Sequence, residues 1–138
     1  RREIFDPAAQ IFLNSNVIST LGKVLAIPPL QRQLAEKQIE YFCKTKIPKE
    51  VQNEIQLKYS VRGNSFTLIE SRPKWNDDSE WLDMKIAKMT FDNKLMKWKL
   101  YWPNQHEKFF IYEDFDPKTE IKELLKEIDD DPTCIFWG

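Results

Sequence analysis

Apolar and polar residues alternate over positions 55–62, where the sequence reads IQLKYSVR. This period of two is typical of a strand with one buried face. Gly63-Asn64 follows, and glycine at the first central position favours a type II′ hairpin turn. The residues that this turn would pair are Val61 with Phe66, Tyr59 with Leu68, Leu57 with Glu70 and Ile55 with Arg72. Glu70 and Arg72 are therefore predicted to share the face of the apolar residues.

The second strand begins at Phe66 in the segment FTLIESRPKW and is expected to end at Pro73. A carboxylate that faces a core is costly unless it is paired, and Arg72 lies on the same face at about 7 Å from Glu70 along the strand. Two interpretations stay open. The pair is either a structural ion pair that fixes the register, or a polar site at the sheet edge. In that site Glu70 would act as a base or ligand and Arg72 as an anion clamp.

The remaining pattern predicts a meander of four or five strands. Residues 75–83, WNDDSEWLD, read as an acidic loop, and further alternating runs follow at 85–91, 97–102 and 108–112. Connections of hairpin length argue against parallel strands joined by crossover helices.

Three segments have helical spacing instead. VISTLGKVLAI at 17–27 has one apolar face and stops at Pro28-Pro29, and residues 30–44 follow as a second helix. Asp116-Pro117 is expected to cap and start the last helix. The apolar stripes of the second and last helices are Leu30, Leu34, Ile39 and Phe42, and Ile121, Leu124, Leu125 and Ile128.

These elements predict an α+β fold, an antiparallel meander of four to five strands with helices before and after it packed on one face. Residues 1–30 form an N-terminal arm with a short amphipathic helix, and residues 31–138 form a single domain. The length of 138 residues suits one domain of this kind. The arm is a candidate for contact with a protein partner or for self-association.

Composition narrows the function classes. A net charge of −1 gives the whole chain no attraction to nucleic acid or to an anionic membrane. No apolar run approaches the ~18–20 residues of a membrane span, and two cysteines are too few for a metal cluster or a disulfide scaffold. A cytoplasmic location is expected. No cofactor or metal is predicted.

Catalytic signatures are equally sparse. Only three glycines occur, at distant positions, so the chain lacks a glycine-rich phosphate-binding loop. The single histidine, His106, sits in a turn sequence and has no nucleophile motif to join it in a triad. Asp129, Asp130 and Asp131 could bind a hard cation, but a solvated helix end is the simpler interpretation.

The basic and aromatic stretch over residues 88–102 is the best candidate for nucleic-acid binding. Alternation places Trp98, Leu100 and Trp102 on one strand face, which favours a core role. The opposite face then carries the lysines and one aromatic ring. The candidate binding residues are Arg72, Trp75, Lys88, Lys97, Lys99 and Tyr101.

Three segments carry a family resemblance. They are E-x-R-P-x-W at Glu70, Arg72, Pro73 and Trp75, W-x-x-Y-W at Trp98, Tyr101 and Trp102, and an acidic-proline end at Asp131, Pro132, Phe136 and Gly138. Over about residues 31–138 the chain resembles a bacterial family catalogued as domain of unknown function 3024. The family pattern K-W-H-R-Y is replaced here by KFFIY at 108–112. The resemblance points to Glu70, Arg72 and Trp75 but implies no activity for them.

The sequence therefore favours a non-enzymatic interaction module that binds protein or nucleic acid through an aromatic- and arginine-bearing sheet. The alternative is a small endonuclease or toxin-like ribonuclease. In that alternative Glu70 is the base and Arg72 stabilises the charge that develops on the phosphate, while Lys74 and Lys88 hold phosphates.

Overall fold

A computed structural model describes residues 27–138. The predicted helix at 17–27, apart from Ile27, and residues 1–26 of the N-terminal arm lie outside the described residues. The helices and strands are α1 (Pro29–Lys46), β1 (Gln56–Arg62), β2 (Ser65–Lys74), β3 (Asp77–Asp92), β4 (Lys97–Pro103), β5 (Phe109–Ile111) and α2 (Ile121–Asp130), with a 3₁₀ turn (Lys49–Val51) before β1.

The five strands form one antiparallel sheet in the order β1-β2-β3-β4-β5. Both helices pack on one side of it, which we call the inner face. The predicted α+β meander is confirmed. The inner face is marked by the buried residues Phe66, Leu68, Ala87, Met89, Phe91, Trp98 and Leu100. The outer face is marked by Lys58, Arg62, Lys88, Lys97, Lys99 and Tyr101, which occupy the alternate positions of the ladders.

The first hairpin has the register that its alternation predicts. Val61 lies opposite Phe66, and Leu57 lies opposite Glu70. Gly63 has a φ of 61°, a left-handed value that glycine adopts without strain, as the first central residue of a type II′ turn requires. The predicted pairing of Ile55 with Arg72 is wrong, because the β1–β2 ladder stops one residue earlier.

The predicted acidic loop at 75–83 is wrong, and so is the predicted end of β2 at Pro73. Beyond the reach of β1, residues 72–74 of β2 pair with residues 77–82 of β3 as a hairpin with Trp75 and Asn76 at its turn. Pro73 is accommodated because the β1 side of β2 has no ladder there, so that edge needs no N–H from it. We call residues 72–74 and 77–85 the β2–β3 extension.

Strand β4 covers only part of β3. Its ladder pairs with residues 88–92 of β3 and ends near Pro103, which has no N–H to donate. Asn104 then turns the chain, since its side-chain oxygen accepts the backbone N–H groups of His106 at 2.8 Å and Lys108 at 2.9 Å. The edge of β3 that faces away from β2 is therefore open along residues 77–85, because no strand within residues 27–138 pairs with it there.

Both helices differ from their predictions in one respect. Ala35 and Ile39 of α1 are buried, but Leu30 and Leu34 are exposed, because they lie on a neighbouring row of the helix that does not face the sheet. The start of α2 at Asp116-Pro117 is also wrong. Lys118 still pairs with the backbone of Trp98, so the chain stays extended and the helix begins at Ile121. All four predicted apolar positions of α2 are buried. Neither α1 nor α2 combines the length and apolar character needed to cross a membrane.

Candidate functional site

Glu70 and Arg72 form an ion pair on the inner face, where β2 passes beyond the helices. Arg72 Nε donates to one Glu70 carboxylate oxygen at 3.2 Å, and Nη2 donates to the other at 3.5 Å. Only 9% of Glu70 is exposed, whereas 62% of the Arg72 side chain is exposed. The predicted pairing of these residues is therefore present, with the carboxylate buried beneath a guanidinium that reaches solvent.

An open cleft of about 800 Å³ lies over this ion pair. Leu82 and Met84 of β3 share its floor with Glu70 and Arg72, since each lies directly opposite one of them in the ladder. The walls are the turn at 103–107 and the tail at 135–138. Sequence reasoning missed Leu82 and Met84, although apolar residues at 82, 84 and 86 have the spacing of a strand face.

The tail wall is built around one aspartate. Asp131 has a left-handed backbone, and its carboxylate accepts the N–H groups of Ile135 at 2.9 Å, Phe136 at 3.1 Å and Trp137 at 2.9 Å. The Trp137 indole donates to the carbonyl of Ile128 at 2.7 Å. Three successive amides are thus held by one side chain, as at an anion-binding nest.

The three consecutive aspartates at the end of α2 do not converge on one site. Asp129 contacts Lys46 and Asp130 contacts Lys126, at 2.5 Å and 2.7 Å, while Asp131 holds the tail. No group of three or more metal-ligating side chains occurs in residues 27–138.

The tip of the β2–β3 extension is acidic and carries an exposed indole. Trp75, at the turn, is 95% exposed. Asp77 accepts hydrogen bonds from the hydroxyl and the backbone of Ser79, and these bonds lower the pKa of its carboxyl. Glu80 pairs with Lys74 at 2.9 Å. Asp77 and Asp78 have no cationic partner within residues 27–138, so the tip is electronegative.

The outer face holds the basic candidates. Lys88 places its ammonium 5.0 Å from the centre of the Tyr101 ring and 4.8 Å from that of Phe109. Lys99 pairs with Asp92 at 2.9 Å. The structure therefore divides the predicted binding residues into two groups. Arg72 and Trp75 line the cleft, and Lys88, Lys97, Lys99 and Tyr101 lie on the opposite side of the sheet.

The residues proposed for a nuclease are not brought together. Glu70 faces the cleft, whereas Lys88 is separated from it by the sheet. Lys74 is engaged by Glu80 at the tip, and His106 is exposed in the turn that forms one wall. Among the described residues, no single surface presents Glu70 beside both of the lysines proposed to hold phosphates.

Comparison with models of known protein families gives a match. The family described as "Domain of unknown function (DUF3024)" matches residues 27–138, which confirms the resemblance expected from about residue 31. No curated protein and no solved structure matches the chain. Two of the three segments that carry the resemblance meet at the cleft. The residues of these two segments that line the cleft are Glu70, Arg72, Pro73, Trp75, Phe136 and Gly138.

Proposed function

The chain belongs to the DUF3024 family, and we propose that it is a non-catalytic interaction module that binds an extended peptide of a protein partner in the cleft. The peptide adds as a strand to the edge of β3. The observation that carries the proposal is the edge of β3 along residues 77–85, which has no partner strand within residues 27–138 and runs beside the cleft.

An open strand edge presents a row of N–H and C=O groups that a second extended chain can pair with. In strand addition, these main-chain bonds supply affinity and pockets for alternate side chains supply specificity. The cleft offers such pockets. Leu82 is 55% exposed and Met84 is 59% exposed, so every second side chain of a bound peptide has apolar surface to cover.

The ion pair adds a polar anchor to this apolar floor. A guanidinium has five N–H donors, and Glu70 engages Nε and Nη2 of Arg72. The remaining donors are free for a peptide carbonyl or carboxylate. In this proposal Glu70 is a positioning residue, since it fixes the direction of the guanidinium without contacting the ligand.

The negative charge of the tip favours a peptide that carries a basic residue. Asp77 and Asp78 lie at the end of the edge, beyond the apolar floor. A peptide with alternating apolar residues and a basic residue at the end that reaches the tip is complementary to this surface.

The catalytic alternative lacks support from the arrangement. Both oxygens of Glu70 are engaged by Arg72, and little of its carboxyl is exposed, so it is poorly placed to take a proton from a substrate. The interaction proposal needs no such step.

A display library of linear peptides of roughly ten residues, the length of a long strand, tests the proposal directly. Peptides enriched on the full chain are measured by fluorescence polarisation against the wild type and the double variant Leu82→Ala/Met84→Ala. We expect the double variant to bind about tenfold more weakly, equivalent to ~1.4 kcal/mol. Leu95→Ala is the matched control, because Leu95 is also half exposed but lies in the β3–β4 turn.

Hydrogen exchange identifies the mode of binding. Strand addition protects amides within residues 77–85 when peptide is bound. No enrichment, or enriched peptides that bind the double variant as tightly as the wild type, would refute the proposed site. Binding without new protection along β3 would refute strand addition alone.

A further inference from the structure

We infer that the outer face of the sheet is a binding surface for single-stranded nucleic acid, recognised by phosphate contacts from lysine and arginine and by stacking on Tyr101 and Phe109. This surface is separate from the cleft and does not depend on peptide binding there.

Positive charge predominates on the outer face. The ladders place the cations Lys58, Arg62, Lys88, Lys97 and Lys99 there, against the carboxylates Asp83 and Asp92. The local excess is positive, although the whole chain has a net charge of −1. A local basic surface attracts a polyanion even when the overall charge does not.

Only part of this positive charge is neutralised. Lys58 pairs with Asp83 and Lys99 pairs with Asp92, each at 2.9 Å. Arg62, Lys88 and Lys97 have no carboxylate partner within residues 27–138. These three side chains are available for phosphates.

The aromatic residues give the surface more than charge. Tyr101 lies opposite Lys88 in the β3–β4 ladder and opposite Ile111 in the β4–β5 ladder. The Lys88 ammonium contacts the rings of both Tyr101 and Phe109, and both rings are partly exposed. Aromatic rings beside lysines on an open sheet are how many proteins hold unpaired bases.

The shape favours a single strand over a duplex. Arg62 is on β1 and Phe109 is on β5, so four strand spacings, about 19 Å, separate the two edges of the surface. Both helices of the described part of the chain pack on the inner face, so neither of them covers this side. Bases can stack on a flat sheet only when they are not already paired within a helix.

Strand β5 adds apolar surface to the outer face. Phe109 and Ile111 lie within KFFIY at 108–112. Their outward position comes from the β5 register, with Ile111 beside Tyr101.

Fluorescence anisotropy with labelled oligo(dT) and oligo(U) of about 12 nucleotides tests the inference, at low and at moderate salt. We expect affinity to fall steeply with salt. The variant Lys88→Gln/Lys97→Gln should bind at least tenfold more weakly, and its salt slope should be smaller by about 1.4, since single strands lose ~0.7 per phosphate contact. Lys122→Gln is the matched control, because Lys122 lies on α2, which packs on the inner face and not on the proposed surface.

A second variant separates stacking from charge. Tyr101→Ala should weaken binding at least fivefold while the salt slope stays unchanged, and Phe109→Ala should do the same if Tyr101→Ala fails to fold. Three results would each overturn the inference. They are no binding at low salt, equal losses in Lys122→Gln and the double lysine variant, and duplex DNA that competes as well as the single strand.

Discussion

The carboxylate of Asp131 accepts the backbone N–H of Trp137 at 2.9 Å and thereby folds the tail back over the end of the sheet. The same carboxylate accepts two more amides, and Trp137 in turn contacts Lys46 of α1 through its ring, at 5.3 Å. Because the Trp137 indole also donates to the carbonyl of Ile128, this residue connects both α1 and α2 with the tail that forms one wall of the cleft. The geometry of the cleft therefore depends on a residue that does not touch the ion pair at its floor.

Replacing Asp131 with alanine should lower the free energy of unfolding by about 2 kcal/mol. Three amides lose a charged acceptor, and bonds to charged groups are stronger than average. Urea denaturation followed by tryptophan fluorescence measures the change. The control is Asp130→Ala, whose exposed pair with Lys126 is expected to contribute far less. Equal effects of the two substitutions would contradict the role given to Asp131.

Two tryptophans should respond very differently to the same substitution. Trp98 is fully buried, with ring centres 5.1 Å from Phe91 and 5.8 Å from Phe66. Trp98→Phe should cost about 1–3 kcal/mol because it leaves a cavity. Trp75→Phe should stay within ~0.5 kcal/mol, since this ring lies at an exposed turn. Thermal unfolding of both variants checks the contrast, and a large cost at Trp75 would mean that the extension is not folded as described.

Stability should depend on pH through Asp83. Hydrogen bonds from the Ser71 hydroxyl and then from Lys58 lower the pKa of the Asp83 carboxyl. The stabilisation is therefore fully present above the unfolded-state pKa of about 3.9 and is lost as pH falls through the lower folded-state pKa. The wild type should exceed Asp83→Asn in stability at pH 7, and the difference should shrink below pH ~4.

Denaturant titrations at several pH values measure this difference. Ser71→Ala supplies the control, because it removes the main cause of the shift and should reduce the acid dependence without abolishing it. A stability difference between wild type and Asp83→Asn that is constant from pH 7 to pH ~2 would contradict the assignment.

The two cysteines should react with thiol reagents at different rates. Burial, with a smaller contribution from the nearby Glu40, raises the pKa of the Cys43 thiol to about 11. Only about one Cys43 in a thousand is then the reactive thiolate at pH 8. Cys134 is exposed. In the single-cysteine variants Cys43→Ser and Cys134→Ser, we expect Cys134 to be labelled at least tenfold faster, and the rate at Cys43 to rise steadily towards pH ~11. Equal rates at pH 8 would contradict this.

Local patterns predicted much of the sheet. The β1–β2 register follows from period-two alternation and from a glycine that suits the turn, both of which act between near neighbours. The same holds for β4, where Trp98 and Leu100 are buried and Lys97 and Lys99 face outward. The burial of Ile121, Leu124, Leu125 and Ile128 in α2 likewise follows from helical spacing.

The errors arose where the local pattern of apolar and polar residues does not show which face is buried. Residues 77–83 have both faces exposed, so their sequence carries charges on either side and lacks the alternation that marks a half-buried strand. Pairing with β2 makes them a strand nonetheless. Leu30 and Leu34 are apolar at helical spacing, but the sheet covers only the neighbouring row that contains Ala35 and Ile39.

By itself, the sequence determined the fold class, the first hairpin and the likeness to a family, because each depends on residues close together in the chain. It also placed Glu70 and Arg72 on one face. Only the tertiary structure decided that this ion pair lies in a cleft, that the edge of β3 along residues 77–85 has no partner strand within residues 27–138, and that the tail held by Asp131 forms a wall. The cleft requires the ion pair to pack beside a turn and a tail that lie more than thirty residues further along the chain, and no local periodicity records such contacts.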